Sequence, residues 1–172
     1  MVMLYRAIRL FTASGVLALA TFATSCTDPV KDRAIEQLGG EPGTPNEEHR
    51  PGQPCVLCHS DGGPASNKKF AIAGTVFDSD KPGAKGVTGV KVFFIDSANQ
   101  DRQAVTNNAG NFFIREEDWS DLTFPFKTGV ARGAATAKMQ TTVNREGSCN
   151  FCHGLVASRD SIGPVVAPGG GP

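Results

Sequence analysis

Val90-Lys91-Val92-Phe93-Phe94-Ile95 decides the fold class. Val90, Val92 and Phe94 recur at every second position, so an extended chain carries them on one face. β-branched and aromatic side chains suit a pleated, half-buried surface. Working outward, Phe70 to Phe77 is apolar and partly β-branched, and Gly83 to Gly89 is rich in turn residues. Gln103 to Thr106 reads as a short strand. Asn107-Asn108-Ala109-Gly110 is a turn suited to left-handed backbone, and Asn111-Phe112-Phe113-Ile114-Arg115 follows as a strand. Glu116 to Leu122 has room for one helical turn, and Phe124 to Ala131 and Ala135 to Val143 are the last strands. Several short strands at this spacing predict an all-β fold, a single β-sandwich.

Three stretches carry a resemblance: Ala73-Gly74-Thr75-Val76-Phe77, Gly86-Val87-Thr88-Gly89-Val90-Lys91-Val92, and Thr106-Asn107-Asn108-Ala109-Gly110-Asn111-Phe112-Phe113. Together they resemble the carboxypeptidase regulatory-like (transthyretin-like) β-sandwich family, over about residues 70–145. The resemblance implies a fold and no peptidase chemistry, because a fold does not fix a function. The wider layout, with a Cys-x-x-Cys-His on each side of the sandwich, resembles haem-motif lipoproteins of myxobacteria and related bacteria.

The flanks divide the chain. Arg6 and Arg9 precede an apolar run from Leu10 to Ala23, the pattern of a secretory signal and too short for a convincing membrane span. Phe22-Ala23-Thr24-Ser25-Cys26 resembles a bacterial lipoprotein cleavage box, with Ala23 where Leu is usual. Cys26 is then the lipidated residue, and Thr27 after it implies outer-membrane sorting, facing the periplasm or cell surface. The alternative is a cleaved periplasmic protein with a free Cys26, a liability in an oxidising compartment. Residues 1–25 are thus expected to be signal peptide and 26–54 a tether. Within the tether, Asp28-Pro29 starts a short helix ended by Gly39-Gly40. Residues 55–153 are the sandwich with its flanking motifs, placed at its two ends. Residues 154–172, rich in Gly and Pro, read as a disordered tail.

Of the five Cys, four fall into Cys55-Val56-Leu57-Cys58-His59 and Cys149-Asn150-Phe151-Cys152-His153. This is the pattern of c-type haem attachment. Two thiols three residues apart reach the two vinyl groups of one haem from one turn of chain. The adjacent His faces the iron as proximal ligand. The expected cofactors are therefore two covalent haems c, on Cys55 and Cys58 with His59, and on Cys149 and Cys152 with His153. His49 and Met139 are the common side chains left as sixth ligands. His49 also reads as a solvated histidine on a flexible approach, and Met139 as a space-filling core residue.

Three other uses of these cysteines stand beside haem: a four-thiolate structural zinc site, a pair of disulfides and a thioredoxin-like redox pair. The first two leave the His after each second Cys unexplained. The third belongs near a βαβ unit, and none is visible. The 172 residues carry 17 basic and 17 acidic side chains. No basic face stands out, which argues against nucleic acid. Nothing in the pattern marks an enzyme pocket. The expected role is electron transfer with other envelope redox proteins; the alternative is a binding or scaffold lipoprotein with structural cysteines.

Overall fold

The computed structural model describes residues 28–41, 43–155 and 157–169. The expected signal peptide and Cys26 lie outside the described residues. No helix among those residues is long and apolar enough to cross a membrane.

The fold is all-β, with two sheets and only short helices. β1 is Phe70–Phe77, β2 Lys91–Ile95, β3 Asp101–Val105, β4 Asn111–Arg115, β5 Lys127–Arg132, β6 Ala135–Lys138 and β7 Val165–Val166. One sheet has the order β4-β1-β7 and the other β3-β2-β5-β6. The alternation in β2 does what its pattern predicts: Val90, Val92 and Phe94 are all buried. They meet Ile72 and Val76 of β1, Phe112 and Ile114 of β4 and Val130 of β5 in one core between the sheets. Phe94 is its aromatic centre, with ring centroids 5.9 Å from Phe126, 6.1 Å from Phe112 and 6.4 Å from Trp119, separations typical of favourable edge and offset packing.

The turn at Asn107–Gly110 is built as its residues predict. Asn107 Oδ1 accepts from the backbone N–H groups of Ala109 and Asn111, both at 3.0 Å. Gly110 takes φ 77°, where a Cβ would stand 2.3 Å from the Val76 carbonyl oxygen. Only glycine meets both demands.

Two boundary expectations need correction. The described residues 28–41 and 43–54 are packed rather than a free tether. Their helix α1, Pro29–Gln37, is capped by Asp28, whose side chain accepts from Val30 N and Lys31 N. The Arg50 guanidinium then binds Leu38 O, Gly39 O, the Glu41 carboxylate and Gln53 Oε1, gathering the orphan carbonyls of the helix end. Further along, the buried Asn111 donates to Glu47 O and His49 O, and Asn107 donates to Glu47 O. A buried amide needs partners, and this segment supplies them.

The second correction is at the other end. Residues 165–167 are structured, not a disordered tail. β7 pairs in parallel with β1, Val76 opposite Val165 and Phe77 opposite Val166. Ala167 N donates to Phe77 O at 2.8 Å, and Ala167 lies in the core. The physical reason is β1's second edge. Gly147 and Ser148 cover its first half, with Ala73 N donating to Gly147 O. The second half would be unpaired without β7, and an open strand edge is unfavourable.

Candidate functional site

Each Cys-x-x-Cys-His forms a single helical turn. These are α2, Cys55–Cys58, and α3, Cys149–Cys152. Each is closed by the motif histidine: His59 N donates to Cys55 O at 3.0 Å, and His153 N to Cys149 O at 2.9 Å. The two histidines leave their turns at similar backbone angles, φ −97°, ψ 49° for His59 and φ −101°, ψ 65° for His153. The intervening residues differ, Val56-Leu57 against Asn150-Phe151, so the shape follows the motif and not its filling. Residues three apart on a turn are neighbours, which puts each pair of thiols on one face.

The imidazoles are oriented in the same way. His59 Nδ1 lies 2.7 Å from Lys68 O, and His153 Nδ1 lies 3.0 Å from Gly163 O. A carbonyl only accepts, so each Nδ1 carries the proton and each Nε2 keeps its lone pair. A backbone carbonyl on the other ring nitrogen is the usual support of a metal-ligating histidine. His59 also stacks on Phe70, with centroids 4.0 Å apart, and Phe70 stacks on Phe113 at 4.7 Å. Burial holds the His59 pKa below the usual histidine range; the hydrogen bond to Lys68 O works against this, and His49 adds to the lowering. The neutral form is the ligating one.

The motifs are not at opposite ends of the two-sheet fold. Both pack against β1. The first is tied to it by Phe70 N donating to His59 O and by Gly52 N donating to Thr75 Oγ1. The second follows Gly147 and Ser148 along the strand's edge and brings Cys149 onto Gly74. Burial is the main cause that raises the Cys149 pKa, and the Cys55 thiol adds to it from across β1. Sequence alone could not give this proximity, because it depends on which edge of β1 each flank fills.

Each motif borders its own cleft, the second through both cysteines and its histidine, the first through Cys55 and His59 and not Cys58. Cys55 and His59 share one of about 320 Å³ with His49, Phe70 and Phe113. Cys149, Cys152 and His153 share one of about 670 Å³ with Met139, Val130 and Phe151. Phe112 borders both. The residues therefore fit haem c in three respects: thiol spacing, imidazole tautomer and an adjoining apolar cleft. Both clefts open to solvent on one side, so a haem in either would keep an edge exposed.

The other uses of the cysteines fit less well. The described cysteines, Cys55, Cys58, Cys149 and Cys152, are unpaired. Among the described residues no three of His, Cys, Asp or Glu converge to hold a metal, so the thiols are not gathered into a zinc tetrahedron. Burial pushes the Cys55 thiol up to about 11 and the Cys149 thiol up to about 12. A redox-active Cys-x-x-Cys needs the opposite shift.

The two candidate sixth ligands differ from their bland readings. Met139 lies just beyond β6, half-buried, and lines the second cleft instead of filling the core. His49 is held on a docked loop, with its ring centroid 5.9 Å from that of His59. Phe70, Gly74 and Asn111 also shape the site, and the sequence reading gave them no role there. Asn111 was the most findable, as a buried polar residue at the head of an apolar strand. Set against known families, curated proteins and solved structures, the chain finds no match in any of the three.

Proposed function

We propose that the protein carries electrons in the cell envelope, as a dihaem c-type cytochrome-like chain anchored by a lipid on Cys26. Cys55 and Cys58 would hold one haem and Cys149 and Cys152 the other, with His59 and His153 as proximal ligands. The observation that carries this reading is the shared support of the two imidazoles: each Nδ1 sits against a backbone carbonyl, and each Nε2 keeps its lone pair free for a metal. Neither zinc bound by four thiolates nor two disulfides needs that arrangement.

When bound, each haem supplies a one-electron ferrous–ferric couple. The chain's own part is to hold and orient. The single-turn helices fix the thiols, Lys68 O and Gly163 O fix the ring planes, and Phe70 with Phe113 keeps water from one side of His59. The exposed edges of the clefts suit electron exchange with other envelope redox proteins, and no catalytic residue is assigned. The two-sheet fold is read as transthyretin-like, of the carboxypeptidase regulatory-like kind, and the location as the outer membrane, facing the periplasm or cell surface.

The test is haem staining on a denaturing gel, with iron counted per chain, after expression with a haem-attachment system. Two irons that survive denaturation are expected. Stoichiometric zinc, or four cysteines oxidised to disulfides by mass, overturns the proposal in favour of a scaffold lipoprotein with structural cysteines.

A further inference from the structure

The sequence contains three histidines, His49, His59 and His153. Two belong to the motifs. The structure brings the third to the first motif and leaves none for the second. The His49 and His59 ring centroids are 5.9 Å apart and their planes are inclined by 33°. Two imidazoles that share one metal from opposite sides, each with a metal–nitrogen bond of about 2 Å, need centroids about 6 Å apart. Both rings line the same cleft, together with Cys55.

His49 is also held in place. Asn111 Nδ2 donates to His49 O at 2.9 Å, and His49 N donates to Asn46 O at 3.2 Å. Asn108 Nδ2 donates to Glu48 Oε1 at 2.8 Å, and Arg50, the residue after His49, is locked to the end of α1 by its guanidinium. This backbone anchoring leaves the imidazole itself uncommitted. His49 Nδ1 is buried without a hydrogen-bond partner among the described residues, with the Glu41 carboxylate 4.0 Å away. A solvated loop histidine would not be fixed in this way.

We infer that His49 is the second axial ligand of the iron held by His59, and that the two irons of this chain are consequently unlike. The inference rests on the haem reading. The first iron has two imidazoles and the second has one, because no fourth histidine exists in the sequence. Axial-ligand identity is a main determinant of haem potential. The chain therefore offers two separate potentials on neighbouring sites along β1.

The test uses the haem-loaded chain and its spectra. In the ferric wild type, paramagnetic resonance is expected to resolve two components, one with the low-spin signature of two imidazoles. His49→Ala is expected to remove that component and convert about half of the iron to a high-spin or water-ligated form, leaving the other component as it was. Added imidazole is expected to restore the lost signature. A redox titration is expected to show one potential shifting and the other unmoved. His49→Met is expected to keep six-coordination while raising the same potential. Identical spectra for wild type and His49→Ala overturn the inference and leave the haem reading intact. Absence of covalent haem from the wild type overturns the haem reading instead, and staining before spectroscopy separates the two.

Discussion

Cys149 lies so close over Gly74 that a Cβ on the glycine would stand 2.8 Å from the cysteine's own Cβ. The same added atom would also stand 2.8 Å from the Phe112 ring. Phe112 is core, and Cys149 begins the second motif's helical turn, so neither can yield freely. Overpacking of this kind costs about 1–3 kcal/mol. Gly74→Ala is expected to lower the thermal midpoint by several degrees. Gly40→Ala, where nothing lies within 4 Å, is expected to stay within about 0.5 kcal/mol of wild type. Equal midpoints for the two variants would show that Cys149 does not rest on β1.

Asn111 ties the segment before the first motif to the strands. It accepts from Thr75 Oγ1 at 2.8 Å and donates to His49 O at 2.9 Å. Asn111→Ala leaves a buried hydroxyl and a carbonyl without their partner, a loss of about 1–3 kcal/mol. It is also expected to release the loop locally. Digestion of the native protein with a glutamate-specific protease should then cut at Glu47 and Glu48 faster than in wild type. Unchanged cutting would mean that the ties through Arg50, Asn107 and Asn108 hold the loop without Asn111.

The sheet class was legible because β2 alternates so regularly that only one face can be buried, and Val90, Val92 and Phe94 are that face. The turn at Asn107–Gly110 was legible because its chemistry is local. What sequence missed is non-local. Val165-Val166 is too short to announce a strand, and it becomes one because β1 has an open edge there. Residues 41–54 look like linker by composition, yet a buried amide on β4 draws their carbonyls inward. The motif residues were plain from spacing. That both motifs share β1 was not, since it follows from strand order.

The thiols differ enough in burial to be ranked by reactivity. Cys152 is exposed, whereas burial pushes Cys55 up to about 11 and Cys149 up to about 12. A thiol at about 12 is ionised in on the order of one molecule in ten thousand near pH 8, and the thiolate is the reactive form. In protein secreted without haem attachment, timed alkylation read by peptide mass is expected to modify Cys152 first and Cys149 last. Denaturant should erase the ranking. Native-state modification of Cys149 at the rate of Cys152 would contradict the packing of α3 on β1. In the haem-loaded chain all four motif thiols are expected to resist alkylation even when denatured, because a thioether has no thiol to react.

Ala167 separates a packed C-terminal strand from a loose tail in one substitution. It is 3 % exposed, sits in the core with Phe77 O accepting from its backbone N–H, and follows directly on β7. Ala167→Asp puts a carboxylate into the hydrophobic core. An unpaired buried charge is among the few single changes that destabilise strongly, here on the order of 3 kcal/mol. The closest comparison is Ile162→Asp, a few residues earlier, where the side chain is 70 % exposed and the change is expected to stay within about 0.5 kcal/mol. Denaturant melts of the two variants decide between the accounts. A tail without structure would tolerate both equally. A strand closing β1 tolerates Ile162→Asp and not Ala167→Asp, and loss of that strand would also free Gly163 O to drift from His153 Nδ1, loosening the ring that the second motif depends on.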